Sequence, residues 1–173
     1  MLFQKKMQLK NNIMTTPSKL YFSKNIIAIV ALTLFISCIS TKSTIQNIDN
    51  TAVLPKLYEN AFIIEEYAND SKYGFNENYP INLGFYKNEN SNNTNIKRFF
   101  NGLTSKSGET LSYKKTGTCC PYPSKNNGVG AGTLDIYEVS VEGKTDKWLI
   151  YINIYEKGKI LCPNGFEIKK RIM

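Results

Sequence analysis

Between residues 58 and 168 the apolar positions mostly alternate, and the alternation marks out short strands. Residues 61–67, with Phe62, Ile63 and Ile64, read as a first strand. Residues 69–80 are turn-rich, punctuated by Gly74 and Pro80. Residues 81–86 alternate strictly and read as a second strand with one apolar face. A polar, asparagine-laden loop follows, and then the period changes. Ile96, Phe99, Phe100 and Leu103 fall at i, i+3, i+4 and i+7, one stripe of a short helix. Thr94 or Asn95 is placed to cap its start, and Gly102 lies near its end.

Residues 111–115 read as a third strand, and residues 133–142 and 147–156 as the two strongest. The short loop Gly143-Lys144-Thr145-Asp146 suits a hairpin between the last two. Trp148, Ile150, Ile152 and Ile154 share one face of the last strand and belong to the core. Leu149, Tyr151, Asn153 and Tyr155 share the other, amphipathic face. Within residues 133–142 the parity changes: Leu134 and Ile136 point one way, Tyr137, Val139 and Val141 the other. A bulge near Ile136 would reconcile them. The expected class is α+β: an antiparallel sheet of about five or six strands carrying one short helix, a single domain over residues 58–173. There is no internal repeat.

Upstream, residues 26–36 form an apolar run broken only by Thr33. Lys19 and Lys24 precede it and the small Ser37 follows. A basic segment, a short apolar segment and a small residue at the cut describe a secretory signal over residues 1–37. The run is too short to span a bilayer, which takes about 20 apolar residues. Residues 38–57, rich in Ser, Thr, Asn, Asp and Lys, read as a flexible tether with too little apolar content to pack.

Charge follows the same division. The net +8 splits into +5 over residues 1–38, whose five lysines face no acid, and +3 over the remainder. The domain is therefore only mildly basic, and no nucleic-acid partner is expected. The chain has no histidine. That closes off Ser-His-Asp and Cys-His nucleophilic sites and His-ligated zinc or haem. The remaining chemistry rests on carboxylates, lysine, tyrosine and cysteine. The carboxylates Glu65, Glu66, Asp135, Glu138, Glu142 and Glu156 form no pair that periodicity would place as acid and base. Lys114 and Lys115 read as a solvated strand end. The glycine-rich stretch Gly128-Val129-Gly130-Ala131-Gly132 leads into a strand rather than a helix, so it reads as a turn and not a phosphate loop. No cofactor or metal site is implied.

Three cysteines fall in the domain: Cys119, Cys120 and Cys162. An oxidising compartment makes pairing the default, and an odd number leaves one over. On a strand, Cys119 and Cys120 point to opposite faces, so one of them can reach Cys162. A bridge between the adjacent pair is the alternative, outside ordinary disulfide geometry. A structural disulfide or buried thiol is favoured over a redox or metal role. For recognition, Tyr137, Tyr151 and Tyr155 are candidates for a half-polar binding face, each offering apolar area with a polar tip. The competing reading covers that face with the helix or another strand.

Phe35-Ile36-Ser37-Cys38 resembles the lipobox of bacterial lipoproteins, with Phe where Leu is usual. The resemblance implies a diacylglycerol thioether on Cys38, cleavage before it, and anchorage in the envelope membrane; Ile39 after the cysteine favours the outer membrane, facing the periplasm. Several further stretches resemble a family of small bacterial envelope lipoproteins. They are residues 38–45, Tyr73-Gly74-Phe75 with Tyr79-Pro80-Ile81-Asn82, Lys97-Arg98-Phe99-Phe100, Cys119-Cys120-Pro121-Tyr122-Pro123, residues 130–139, and residues 151–158. The double cysteine before proline is the most distinctive mark, and Cys162 is not part of the shared pattern. Members often carry the label 2-dehydro-3-deoxyphosphooctonate aldolase, which implies an enzyme of lipopolysaccharide sugar synthesis. The barrel that houses that activity needs about 250 residues with alternating helices. A strand-rich domain of this length points instead to a non-catalytic binding or scaffolding protein, with an envelope protein or glycan as partner.

Overall fold

The computed structural model describes residues 43–141 and 143–170. The leader, Cys38, Glu142 and the last three residues lie outside them. The class is α+β.

A meander of three long strands forms the frame. Strand β5 (Leu111–Pro123) pairs antiparallel with β6 (Ala131–Val141), and β6 with β7 (Lys147–Asn153). The short β3 (Ile81–Asn82) adds to β7 in parallel, giving the order β3-β7-β6-β5. Two smaller antiparallel pairs stand apart: β1 (Leu57–Tyr58) with β2 (Ala61–Phe62), and β4 (Leu103–Ser105) with β8 (Phe166–Ile168). The expected single antiparallel sheet of five or six strands is thus three sheets, the largest four-stranded and mixed.

The expected first strand over residues 61–67 keeps Ala61 and Phe62 as a strand, with Tyr67 in an isolated parallel bridge to Cys162. Beyond them the backbone is satisfied by loops: Ile63 N–H donates to Lys56, and Cys162 N–H to Glu66. The second expected strand stops at Asn82 for a similar reason. Leu83 N–H donates to Asn153 and Gly84 N–H to Glu156, where the chain crosses the end of β7.

The third expected strand runs far beyond residue 115 because two bulges keep it paired. Lys115 faces Tyr137 while Gly117 faces Ile136, which leaves Thr116 as the extra residue. A second shift falls between Cys119 and Tyr122. The bulge expected near Ile136 therefore lies opposite it, on β5. Strand β6 itself keeps unbroken register with β7. Its change of parity has another cause: both faces of the sheet are covered. Val139 and Val141 enter the main core, and Leu134 enters a second cluster with Ile45 and Tyr122 on the reverse face.

The main core lies between the sheet and helix α1 (Glu89–Asn101). Phe99 is fully buried, and Phe100 stacks on Tyr113 with ring centroids 4.2 Å apart. Burying each such ring contributes roughly 1.5–3 kcal/mol. The helix begins earlier than the apolar stripe predicts. Asn88 is the cap, its side chain accepting from Ser91 N–H at 2.7 Å. The inward face continues the stripe backwards through Asn95 and Asn92, both buried. Those positions keep the helical spacing, but asparagine carries no hydrophobic signal.

The segment after residue 43 is not a tether. Ile45 is buried against Tyr122 and Leu134. Asn47 donates its side-chain amide to Pro80 O at 2.6 Å, and Asp49 N–H donates to Lys157 O at 2.8 Å. Two isoleucines, 45 and 48, supply the packing, and backbone and amide hydrogen bonds do the rest. Low apolar content was a poor guide because so few side chains are needed to cover a sheet face already rich in Tyr and Leu.

Candidate functional site

The three candidate tyrosines do not share a face. Tyr137 is paired with Ile150 and Tyr151 with Ile136, which places their side chains on opposite sides of the sheet. Tyr137 lies under the helix, 5.7 Å from Phe100 and 6.3 Å from Tyr113 between ring centroids. Burial, then the nearby Asp135 charge, raises its phenol above the usual value. Tyr151 packs beside the second cluster. Tyr155 lies beyond the end of β7, its N–H turned back to Asn153 Oδ1 at 2.9 Å. Extrapolating strand alternation from Tyr151 to Tyr155 fails because β7 ends between them.

The cysteines also depart from expectation. Cys119 and Cys120 are joined to each other, with Cα atoms 3.7 Å apart. Cys162 is a free, buried thiol in the main core. The pair packs against the second cluster, on the other face of the sheet, so a bridge to Cys162 has no path. Burial, then the Glu167 charge, pushes the Cys162 thiol up to about 12, which makes it an inert core residue.

The expected carboxylates are dispersed as ion-pair partners. Glu138 sits between Lys114 and Lys147 at 3.2 and 3.1 Å, and Asp135 pairs with Lys115 at 2.6 Å. Glu66 pairs with Lys159 at 2.7 Å, and Glu65 is exposed.

Glu156 is different. It is buried, yet both carboxylate oxygens are occupied: Ser124 donates at 2.6 Å to one and Asn126 at 2.6 Å to the other. Beside it, Asn153 Oδ1 accepts from Tyr122 hydroxyl at 2.7 Å, Tyr155 N–H at 2.9 Å and Glu156 N–H at 3.3 Å. Tyr122 is held well above its usual value by burial, then by the Glu156 charge, so it keeps its proton and donates. This network fastens the loop after β5 to the turn after β7. Gly84 allows a third segment to approach it. A Cβ there would lie 2.4 Å from the Tyr155 carbonyl carbon and 2.6 Å from Glu156 N. From the helix, Asn92 spans the remaining gap. It accepts from Tyr86 N–H at 3.0 Å and donates to Tyr86 O and Ile154 O, both at 2.8 Å.

These fastenings shape a cleft of about 790 Å³. Its walls carry Tyr86 and Tyr155, Lys125 and Lys157, and the amides of Asn126 and Asn127. Tyr86 is 43% exposed, enough to offer a ring face. Neither Lys125 nor Lys157 makes an ion pair among the described residues. A smaller groove of about 460 Å³ runs beside Val53, but there Lys159 is already committed to Glu66. Among the described residues no group of His, Cys, Asp and Glu could hold a metal ion.

The cleft can supply cations, planar amides and aromatic surface; among the described residues its lining holds no carboxylate to act as an acid or base. Sequence reasoning missed it. Its residues come from four separate loops, and the one available signal was the unusual density of Asn and Tyr in those loops. No family model, curated protein or solved structure matches the chain.

Proposed function

We propose that the chain is an envelope lipoprotein, acylated on Cys38 and facing the periplasm, whose domain binds an anionic glycan in the cleft beside Lys125 and Lys157. The cleft is the observation that carries this reading. Two lysines without ion-pair partners among the described residues provide a positive site for acidic or phosphorylated sugars. The amides of Asn126 and Asn127 offer donors and acceptors matched to neighbouring hydroxyls. Tyr86 and Tyr155 give flat apolar area with polar tips, suited to the faces of sugar rings. The Glu156 contact to Asn126 sets one of these amides before any ligand arrives, which lowers the ordering cost of binding.

The membrane part of the proposal rests on the leader sequence. Cys38→Ser should move the protein from the membrane fraction to the soluble one. The cleft is tested by calorimetric titration of the mature chain with acidic envelope oligosaccharides at low and moderate salt. Lys125→Glu with Lys157→Glu should weaken binding by on the order of tenfold or more. Lys169→Glu, outside the cleft, should not. Undiminished affinity in the double variant would remove the cleft from the reading. Condensation of arabinose 5-phosphate with phosphoenolpyruvate by the mature chain would replace the reading with an enzyme.

A further inference from the structure

The joined cysteines sit where a small molecule can meet them. Strand β5 is the outer strand of the four-stranded sheet, and both cysteines are half-buried rather than enclosed. They stand at the β5 bulge between Cys119 and Tyr122. Cys120 has φ +56°, in the left-handed region that a side chain with a Cβ rarely adopts. The fold thus holds an unfavourable backbone conformation at this sulfur.

A carboxylate stands beside the same sulfur. Glu77 Oε2 lies 3.1 Å from Cys120 Sγ. Its position is set by its own turn: Asn78 N–H donates to Asn76 Oδ1 at 2.9 Å, and Asn78 O accepts from Gln46 N–H at 2.9 Å. An ionised carboxylate only accepts hydrogen bonds, and a sulfur donates one only when it carries hydrogen. With the pair joined, the oxygen faces sulfur lone pairs. With the pair open, the same contact becomes an S–H···O hydrogen bond to a charged acceptor. The surroundings of Cys120 therefore favour the dithiol.

We infer that Cys119–Cys120 is a thiol–disulfide exchange site for a dithiol co-reactant, with Glu77 as the residue that positions and stabilises the opened Cys120. The thiolate of the dithiol attacks Cys119 Sγ, since approach to Cys120 would bring it against the Glu77 carboxylate. The bond between Cys119 and Cys120 breaks, and Cys120 leaves with the electron pair. It takes up a proton and donates it in a hydrogen bond to Glu77. The second thiol of the co-reactant then displaces Cys119 from the mixed disulfide. Two electrons and two hydrogens pass from the dithiol to the protein; the dithiol becomes a disulfide and the pair becomes two thiols. The reverse sequence closes it.

The experiment equilibrates the mature chain with graded ratios of dithiothreitol to its oxidised cyclic form, quenches in acid, alkylates and reads the mass of each cysteine peptide. Cys119 and Cys120 should open together in the folded chain. Parallel alkylation without unfolding should mark both of them and leave Cys162 untouched. Glu77→Gln, an exposed change that spares the core, should lower the open-to-closed ratio about fivefold at neutral pH, the worth of one hydrogen bond. Cys120→Ser should leave Cys119 a lone thiol that is alkylated in the folded chain at every ratio. A pair that opens only when the chain unfolds would overturn the inference, as would a Glu77→Gln ratio equal to wild type at neutral pH.

Discussion

Replacing Asn153 with alanine removes one oxygen and strands three donors. Asn153 is fully buried, and its Oδ1 holds the Tyr122 hydroxyl at 2.7 Å and the N–H groups of Tyr155 and Glu156 at 2.9 and 3.3 Å. A buried donor left without a partner costs about 1–3 kcal/mol. The Glu156 contact is the longest and weakest, and local relaxation lets water reach some of the freed groups. The expected loss is therefore about 3–5 kcal/mol, a large share of the 5–15 kcal/mol typical of a domain. Tyr122→Phe removes one donor and leaves Oδ1 with two others, so it should cost only about 1 kcal/mol. The decisive measurement is the double variant, followed by urea unfolding with Trp148, the chain's single tryptophan, as the probe. In the alanine background the Tyr122 hydroxyl has already lost this acceptor and keeps only its contact with Ser124. Removing it should then be neutral or stabilising, giving a coupling of about 1–3 kcal/mol. If Tyr122→Phe cost the same in both backgrounds, the hydrogen bond would carry no energy, and the network would not be what fastens the β5 loop to the turn after β7.

Gly84→Ala should destabilise by about 2–3 kcal/mol in the same urea assay, because the new Cβ would lie 2.4 Å from backbone rather than a yielding side chain; a neutral result would mean that the crossing is looser than the structure gives. Cys162 should resist iodoacetamide in the folded protein and react once urea unfolds it. Its thiol is raised in the fold from 9.0 to about 12, so the associated stability is complete below pH 9 and is lost as the pH climbs through about 12. Glu138 is held below its ordinary 4.5 by hydrogen bonds from Lys147, then Lys114. Its contribution is present above that value and fades as the pH falls through the lowered one, so Glu138→Gln should flatten the acid limb of melting temperature against pH, and 1 M salt should do much the same to wild type.

The sequence by itself determined the class, two of the long strands, the start of the third and the helix, because alternation and helical spacing are local patterns. Trp148, Ile150 and Ile152 had to face a core, and Phe99 with Phe100 had to pack. It also determined the absence of histidine chemistry, whatever the fold. What only the tertiary structure decided was which face of the sheet is covered and by what. Tyr137 and Tyr151 carry the same side chain and lie in neighbouring strands; register alone sends one beneath the helix and the other to the reverse face. Ile45 looks like part of a polar tether until Tyr122 and Leu134 are brought beneath it. Asn92 and Asn95 occupy the buried stripe of the helix, but their partners, such as Ile154 O, lie far along the chain. The cleft gathers residues from four loops, and Cys120 meets Glu77 across 43 positions of sequence. Periodicity reports how a segment presents its side chains. It carries no information about which distant segment arrives to satisfy them, and in this chain the candidate sites are made almost entirely of such arrivals.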